Sequence, residues 1–281
     1  MDAEDYAEKA SEVFVLSDSF IRIKELIDDE ASTIDDIADI ILLDPALSGT
    51  VLKLANSTFF NYPGKIDTIS KAVLVLGITE VYNLVIAYFT TEAFKSTQAE
   101  PRFLEDFWES SVDTALLVKY LGTKLGMPNA ERLFILGLLH NIGELVMQQL
   151  VPEKAMLTQD AAADSLPWQK QQEVFKFTYA DVSAELLKQW QLPYSLVEPI
   201  RYQDQHDFDL CTEETKLLYI AKRMMLLNYQ CSHLAQNILI LPEKMDETHI
   251  DQALITSANN FCDMERLGIL AMLNPSAAMI Y

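Results

Sequence analysis

The four histidines are the residues whose type could bind a metal ion or carry a proton at neutral pH. His140 stands among apolar neighbours, where a lone histidine is most simply a hydrogen-bonded core residue. Asn141 is its expected partner, since an unpaired buried polar group costs roughly 1–3 kcal/mol. His206 and Asp207 lie in an acidic stretch with no second ligand cluster at helical spacing, which indicates a solvated loop rather than a metal site.

Other familiar catalytic patterns do not occur in the sequence. Its glycines are too scattered to form a phosphate-binding loop and lack a lysine-serine partner. The 3 cysteines form no C-x-x-C pair, and their odd number argues against a disulfide framework. We assign no role to His233 or His249, and we interpret Met224 and Met225 as core packing.

Charge and composition limit the classes of function. The chain carries 42 acidic and 21 basic residues, a net charge of −21 at neutral pH, so we expect no binding to nucleic acid or to anionic membranes. The first residues, MDAEDYAEKASE, are acidic and do not resemble a secretory signal, and no uninterrupted apolar stretch reaches roughly 18 residues. We therefore expect a cytoplasmic protein.

The residue pattern predicts an all-α protein. Half of the 281 residues are apolar, while only 8 are Gly and 10 are Pro, which favours long helices joined by short loops. Apolar positions recur at helical spacing nearly throughout, and strand-like alternation is hard to find. The predicted helices cover residues 18–29, 33–43, 45–57, 69–76, 79–95, 102–125, 129–150 with an interruption at Gly143, 168–177, 179–190, 194–204, 213–231 and 246–262.

Capping residues mark several of these predicted boundaries. Thr33 precedes an acidic first turn, and Asp44 stands before a proline that has no amide hydrogen to lose. Gly77 and Gly126 follow apolar segments, where a left-handed residue satisfies the last carbonyls of a helix. The polar stretch 95–101 is predicted to be a linker.

Several motifs resemble those of HDOD domains. Residues 44–57, DPALSGTVLKLANS, followed by Phe59 and Phe60, are similar to the family's signature, and the resemblance continues through 66–77, Phe107-Trp108 and the segment GLLHNIG at 137–143. It covers roughly Val13 to Asp207. The resemblance implies a regulatory role in bacterial signalling and two packed helical lobes with a tail: an HDOD-specific N-terminal lobe, 1–98, an HD-like lobe, 99–210, and a helical extension packed on the HD-like lobe, 211–281.

HD-type phosphohydrolases hold metal ions with histidine and aspartate side chains, so that a bound water becomes a nucleophile near neutral pH. The resemblance implies that this site has decayed, because the matching positions carry poor ligands. Asn141 replaces the aspartate that follows the histidine, and a two-residue shift would align Gln205 and His206 in place of Gln203 and Asp204. The vestigial positions are Ser110, His140, Asn141, Tyr179, Gln203 and Asp204.

These losses favour a non-catalytic module over an enzyme. The leading hypothesis is a pseudo-enzyme without metal or cofactor that binds a protein partner or a nucleotide second messenger in the vestigial cleft between the lobes. The alternative is a metal-dependent phosphohydrolase or phosphodiesterase with a non-standard ligand set such as His140, Asp113, Asp181 and Asp204. A third hypothesis is a metal-independent sensor whose old cavity accepts an apolar or nucleotide ligand.

Overall fold

The computed structural model describes residues 1–29, 31–57, 62–94, 97, 99–128, 130–159, 166–228 and 239–273. Every regular element in these ranges is helical, which confirms the predicted all-α class. A short 3-10 helix covers Phe208–Leu210. The α-helices are α1 (Ala3–Val13), α2 (Asp18–Asp28), α3 (Ile34–Leu42), α4 (Pro45–Ala55), α5 (Ile69–Leu76), α6 (Ile78–Ala93), α7 (Pro101–Lys124), α8 (Ala130–Leu139), α9 (Ile142–Leu150), α10 (Pro152–Gln159), α11 (Pro167–Phe175), α12 (Tyr179–Gln189), α13 (Tyr194–Arg201), α14 (Glu213–Asn228), α15 (Pro242–Thr248) and α16 (Gln252–Leu273).

The chain divides into two compact units. Unit 1 comprises Met1–Phe14 and Thr97–Arg266, and unit 2 comprises Val15–Ser96 together with the chain from Leu267 onward. The predicted boundary at residue 98 lies beside this division. Helix α1 differs from the prediction, because it packs on α12 and α9 and so belongs to unit 1 rather than to the N-terminal lobe. The predicted extension 211–281 is likewise divided at Arg266.

The motif that carries the resemblance in unit 2 stabilises the fold of that unit. The Asp44 carboxylate accepts hydrogen bonds from the first two amides of α4, at 2.9 and 3.0 Å. At the other end of the helix, Asn56 Nδ2 donates to the Ile66 carbonyl oxygen at 2.6 Å, and Asn56 Oδ1 accepts from the Ile66 amide at 2.8 Å. Phe59 and Phe60 lie outside the described residues.

The predicted capping positions are confirmed. Thr33 Oγ1 accepts from the Asp36 amide at 3.2 Å, and the Asp36 side chain accepts from the Thr33 amide, which together form a capping box. Gly77 and Gly126 both have positive φ, 93° and 70°, where a side chain would be strained. Three residues of the predicted linker, Lys95, Ser96 and Gln98, lie outside the described residues, and its last residue, Pro101, begins α7.

Two glycines allow close packing inside unit 1. A Cβ on Gly137 would lie 2.4 Å from the Ala115 Cα of α7, and a Cβ on Gly143 would lie 2.2 Å from the Tyr179 carbonyl oxygen of α12. Gly143 lies inside the first turn of α9, which begins at Ile142. Its predicted role as the helix break is therefore wrong. The break falls at His140 and Asn141, between α8 and α9.

Other boundaries also differ from the prediction. Helices α1 and α10 were not predicted, although Asp2 caps α1 and the helix buries Tyr6 and Ala10 at i, i+4 spacing. The predicted helix 246–262 is instead the end of α15 and the first half of α16. His249 ends α15 in a left-handed conformation with φ of 56°.

One stretch of unit 1 is long and apolar enough by composition to cross a membrane. Residues Arg132–Leu150 have a mean hydropathy of 1.3, but 72% of this window is buried among other helices. Helices α5 and α6 pass the same test only as a pair that is bent by 119°. Burial of this kind is what the core helices of a globular unit show.

Candidate functional site

His140 lies at the break between α8 and α9, and it is 1% exposed. Its Nδ1 lies 2.6 Å from the Gly137 carbonyl oxygen, so Nδ1 donates that bond and Nε2 is left unprotonated. Burial and, to a smaller extent, the charge of the nearby Lys222 ammonium lower the pKa of His140 to about 3. His140 is therefore a neutral imidazole held by backbone.

Asn141 does not hydrogen-bond His140, so the predicted pairing is wrong. Its side-chain amide donates to the Glu144 carboxylate one turn later, because the helix break turns Asn141 toward the first turn of α9. Burial raises the pKa of Glu144 to about 7, while the bond from Asn141 and the charge of Lys222 oppose that rise. A carboxyl group that ionises near neutral pH thus lies beside His140.

Asp204 is held by a lysine from α14. Lys222 Nζ donates to both carboxylate oxygens of Asp204, at 2.9 and 2.8 Å, and the two side chains are 10% and 13% exposed. Burial lowers the pKa of Lys222, and the charge of Asp204 opposes that shift. The same ammonium acts electrostatically on His140 and on Glu144. The charge of Lys222 therefore acts on all three of the other titratable groups named so far: Asp204, His140 and Glu144.

A fully buried arginine supports this ion pair. Arg223 Nη2 lies 3.5 Å from Asp204 Oδ1, and Nη1 donates to the carbonyl oxygens of Gln203 and Tyr219 at 3.3 and 3.2 Å. Its guanidinium carbon lies 4.3 Å from the Trp168 ring centroid and 3.3 Å from the Tyr219 ring centroid. Aromatic rings stabilise a cation in a site from which water is excluded.

Gln203 joins α13 to the break after α8. Its amide nitrogen donates to the carbonyl oxygens of His140 and Ile200, both at 2.8 Å, and the residue is 0% exposed. The amide group therefore contributes to packing and presents no charged ligand. Gln203 and Asp204 take the positions that the motif match predicted, whereas Gln205 and His206, the residues of the alternative alignment, are both exposed.

The other two vestigial positions serve local structure. Ser110 Oγ donates to the Phe107 carbonyl oxygen of its own helix, at 2.9 Å. The Tyr179 hydroxyl lies 2.8 Å from Thr158 Oγ1, and burial raises the pKa of Tyr179, with the charge of Glu144 adding to the rise. Tyr179 thus borders the cluster near Glu144, whereas the Ser110 hydroxyl bonds within α7.

The ligand set of the alternative hypothesis does not come together. Asp113 is 1% exposed and accepts two hydrogen bonds from Arg266, at 2.6 and 2.7 Å, and one from Cys262 Sγ at 3.0 Å. Asp181 is bonded to the Thr178 backbone and hydroxyl as part of a capping box at the start of α12. In the part of the chain that is described, no group of three or more His, Cys, Asp and Glu side chains is placed to hold a metal ion.

The residues present therefore do not fit a divalent metal. A metal site needs at least three anionic or imidazole ligands whose lone pairs face one point. Here both oxygens of Asp204 accept from the Lys222 ammonium, and His140 Nδ1 faces a backbone carbonyl. His206, which was predicted to be a solvated histidine, is exposed and contacts the Tyr219 hydroxyl at 3.2 Å, and the charges of Arg223 and Asp204 act on it.

The sequence motifs did not reveal the residues that fill the site. Glu144, Trp168, Lys222 and Arg223 were not predicted as site residues. The signal for two of them was present, because Lys222 and Arg223 stand inside the apolar run 217–226, LLYIAKRMML, where charged residues are buried only if they are paired. Met224 and Met225 in that run are buried, which confirms their predicted core role.

One family model matches more than half of the chain. The HDOD domain model matches residues 14–206. An uncharacterized protein of Treponema pallidum (strain Nichols) is 28% identical over 222 residues, which cover 77% of this chain and 42% of that protein. The chain thus spans less than half the length of this curated relative.

Solved structures share the fold. A Shewanella amazonensis SB2B protein described as a "putative phosphohydrolase" matches with a TM-score of 0.73 and 24% identity, over 97% of each chain. An HDOD domain protein with unknown function from Geobacter sulfurreducens matches with a TM-score of 0.71 and 18% identity, over 96% of this chain and 99% of that one. At such identities the likeness concerns the fold alone.

Proposed function

This chain belongs to the HDOD domain family, and from that premise we propose that it is a non-catalytic signal-transduction or scaffolding module. In this proposal it acts in the bacterial cytosol by binding a protein partner or a nucleotide-type ligand. The proposal includes no metal, no cofactor, no nucleic acid and no membrane. The fold and the family are common to proteins described as phosphohydrolases, so the case depends on the site itself.

The observation that carries the proposal is the ion pair between Lys222 and Asp204. Catalysis of the HD type needs a divalent ion near this carboxylate to lower the pKa of bound water and to neutralise phosphate. At a separation of ~4 Å and an effective dielectric constant of about 20, a divalent ion and an ammonium group repel each other by roughly 8 kcal/mol. The lysine charge at Asp204 therefore supports a site that excludes metal ions.

The neighbouring groups support the same proposal. Gln203 and Ser110 bond backbone carbonyls, and Tyr179 bonds a threonine hydroxyl. Of the six vestigial positions, only His140 keeps an imidazole nitrogen that could bind a metal, and one such ligand is too few for the affinities that protein sites reach. The cluster instead fixes α8, α9, α13 and α14 to one another by charge and hydrogen bonds.

A turnover assay tests this proposal. Purified protein is incubated with bis(p-nitrophenyl) phosphate, cyclic dinucleotides and nucleoside triphosphates in the presence of Mn²⁺, Mg²⁺ or Fe²⁺, and the His140→Ala variant serves as the control. We expect both proteins to give the same background rate. Metal-dependent turnover by the wild-type protein that is lost in His140→Ala would establish the alternative, a metal-dependent phosphohydrolase.

A further inference from the structure

A groove of about 770 Å³ in unit 1 lies beside the Asp204 cluster. It is bounded by α11, the start of α12, the end of α13 and the turn that follows α13. Trp168, which is 7% exposed, belongs to both features, because it lines the groove and also lies over the Lys222 and Arg223 side chains. Volumes of roughly 300–1,000 Å³ are typical of sites for small molecules.

The charged side chains of this groove are bonded within the protein. Asp204 is held by Lys222, and Arg201 donates to Glu185 at 2.5 Å. Glu173 accepts from Lys170 at 3.2 Å. In the same way, Asp181 caps α12, and the ammonium of Lys176 donates to a backbone carbonyl. A phosphate or an organic cation would compete with the partners of Asp204 and Arg201, so the inner part of the groove favours an uncharged ligand, whereas Lys176 and Glu173 are exposed.

Neutral amide groups are the polar atoms that the groove leaves for a ligand. Gln169 uses its carbonyl oxygen to accept from the Leu166 amide, which leaves its NH₂ group as a donor. Gln172 uses its NH₂ group to donate to the Lys176 carbonyl, which leaves its oxygen as an acceptor. Gln205 is exposed, and its side-chain amide makes no hydrogen bond to the part of the chain that the structure describes. The lining of the groove therefore offers a ligand both hydrogen-bond donors and hydrogen-bond acceptors.

Aromatic rings complete the lining of the groove. Tyr202 is 46% exposed and presents a ring on which a flat molecule can stack, and Trp168 lies deeper. A planar heteroaromatic ring has a face that stacks on aromatic side chains and an edge that carries hydrogen-bond donors and acceptors. Amide side chains pair with such edges in two-point contacts.

We propose that this groove binds the base of a nucleoside or nucleotide, stacked on Tyr202 and bonded at its edge by Gln169, Gln172 and Gln205. The inference rests on the proposed function and narrows it, because it names the base rather than the phosphate as the part that is recognised. It also places the bound base beside Asp204, so that binding can act on the ion pair between Asp204 and Lys222.

Tryptophan fluorescence provides the test, since Trp168 lines the groove. The full chain is titrated with adenosine, guanosine, cytidine and uridine, and separately with inorganic phosphate and with arginine amide. We expect saturable binding of at least one nucleoside and none of phosphate or arginine amide. Tyr202→Ala should weaken the nucleoside by roughly tenfold, as expected for the loss of one stacking ring.

The matched control is Tyr194→Ala, which removes an exposed tyrosine at the start of α13, the helix that Tyr202 follows, and Tyr194 does not line the groove. Its affinity should equal that of the wild-type protein. The inference is overturned if no nucleoside binds, if phosphate or arginine amide binds in its place, or if Tyr202→Ala and Tyr194→Ala bind equally well. Failure here leaves the turnover assay unaffected, and metal-dependent turnover would overturn the proposed function even if a nucleoside binds.

Discussion

Replacing Lys222 by methionine tests whether this residue is the internal counterion of Asp204. Methionine keeps the length of the side chain and removes its charge, so Asp204 would stay largely buried with only Arg223 at 3.5 Å. Removing one partner of a buried ion pair lowers the free energy of unfolding by about 3–5 kcal/mol. Because Arg223 still offsets part of the charge of Asp204, we expect a loss of about 3 kcal/mol. For a unit of this size, that loss lowers Tm by roughly 6–12 °C.

The assay can follow unit 1 alone. The 3 tryptophans, Trp108, Trp168 and Trp190, all lie in that unit, so their fluorescence reports its unfolding separately from that of unit 2. Urea titrations of the wild type and of Lys222→Met give the two free energies of unfolding. Lys216→Met is the matched control, because Lys216 lies on the same helix and pairs with an exposed glutamate, a contact worth about 0–1 kcal/mol.

A double-mutant cycle separates the ion pair from the packing of each side chain. Asp204→Leu removes the other charge, and the double variant Lys222→Met with Asp204→Leu replaces the pair by apolar groups. Such replacements are often neutral, so the double variant should be more stable than Lys222→Met, with a coupling of about 2–4 kcal/mol. Additive effects, within about 0.5 kcal/mol, would refute the assignment of Lys222 as the counterion of Asp204.

Three further predictions concern other parts of unit 1. Burial raises the pKa of Glu144 from its ordinary value of 4.5 to about 7, so the folded state binds an extra proton between these pH values and loses stability as pH rises through them. Glu144→Gln should therefore gain stability over the wild type between pH 5 and pH 8, and a constant difference in urea midpoints would contradict this. Gly143→Ala should cost at least about 1–3 kcal/mol, because its Cβ would meet the Tyr179 carbonyl oxygen, whereas Gly49→Ala, with open space around it, should not destabilise; thermal melts followed by circular dichroism compare the two. Arg266→Met should cost about 3 kcal/mol in the tryptophan-monitored urea titration, since it leaves the Asp113 carboxylate buried, and a loss below about 0.5 kcal/mol would show that this pair does not hold α16 on α7.

The helical fold was predictable because its signals are local. Thr33, Asp44, Gly77 and Gly126 mark helix ends by their own backbone chemistry, and each was confirmed. The placement of α1 in unit 1 depends on which distant helices it contacts, and no local pattern encodes that. The role of Gly143 could not be predicted for the same reason. Its lack of a side chain allows close contact with the Tyr179 carbonyl oxygen, and Tyr179 lies far along the chain.

The candidate site was predictable only in part. The motif match located His140, Gln203 and Asp204, and the structure brings these residues together. It could not reveal Lys222, because a lysine on α14 belongs to no metal-binding motif and acts only through its distance from Asp204. Glu144 was missed for a related reason, since its pKa depends on burial rather than on spacing.

Metal binding at equilibrium tests the central claim most directly. The protein is dialysed against excess Mn²⁺, Zn²⁺ or Fe²⁺ and desalted, and the bound metal is quantified by mass spectrometry alongside the His140→Ala and Asp204→Leu variants. Because the Lys222 ammonium already balances Asp204, we predict far less than one ion per chain for all three proteins. A stoichiometric ion in the wild type that both variants lose would contradict the account.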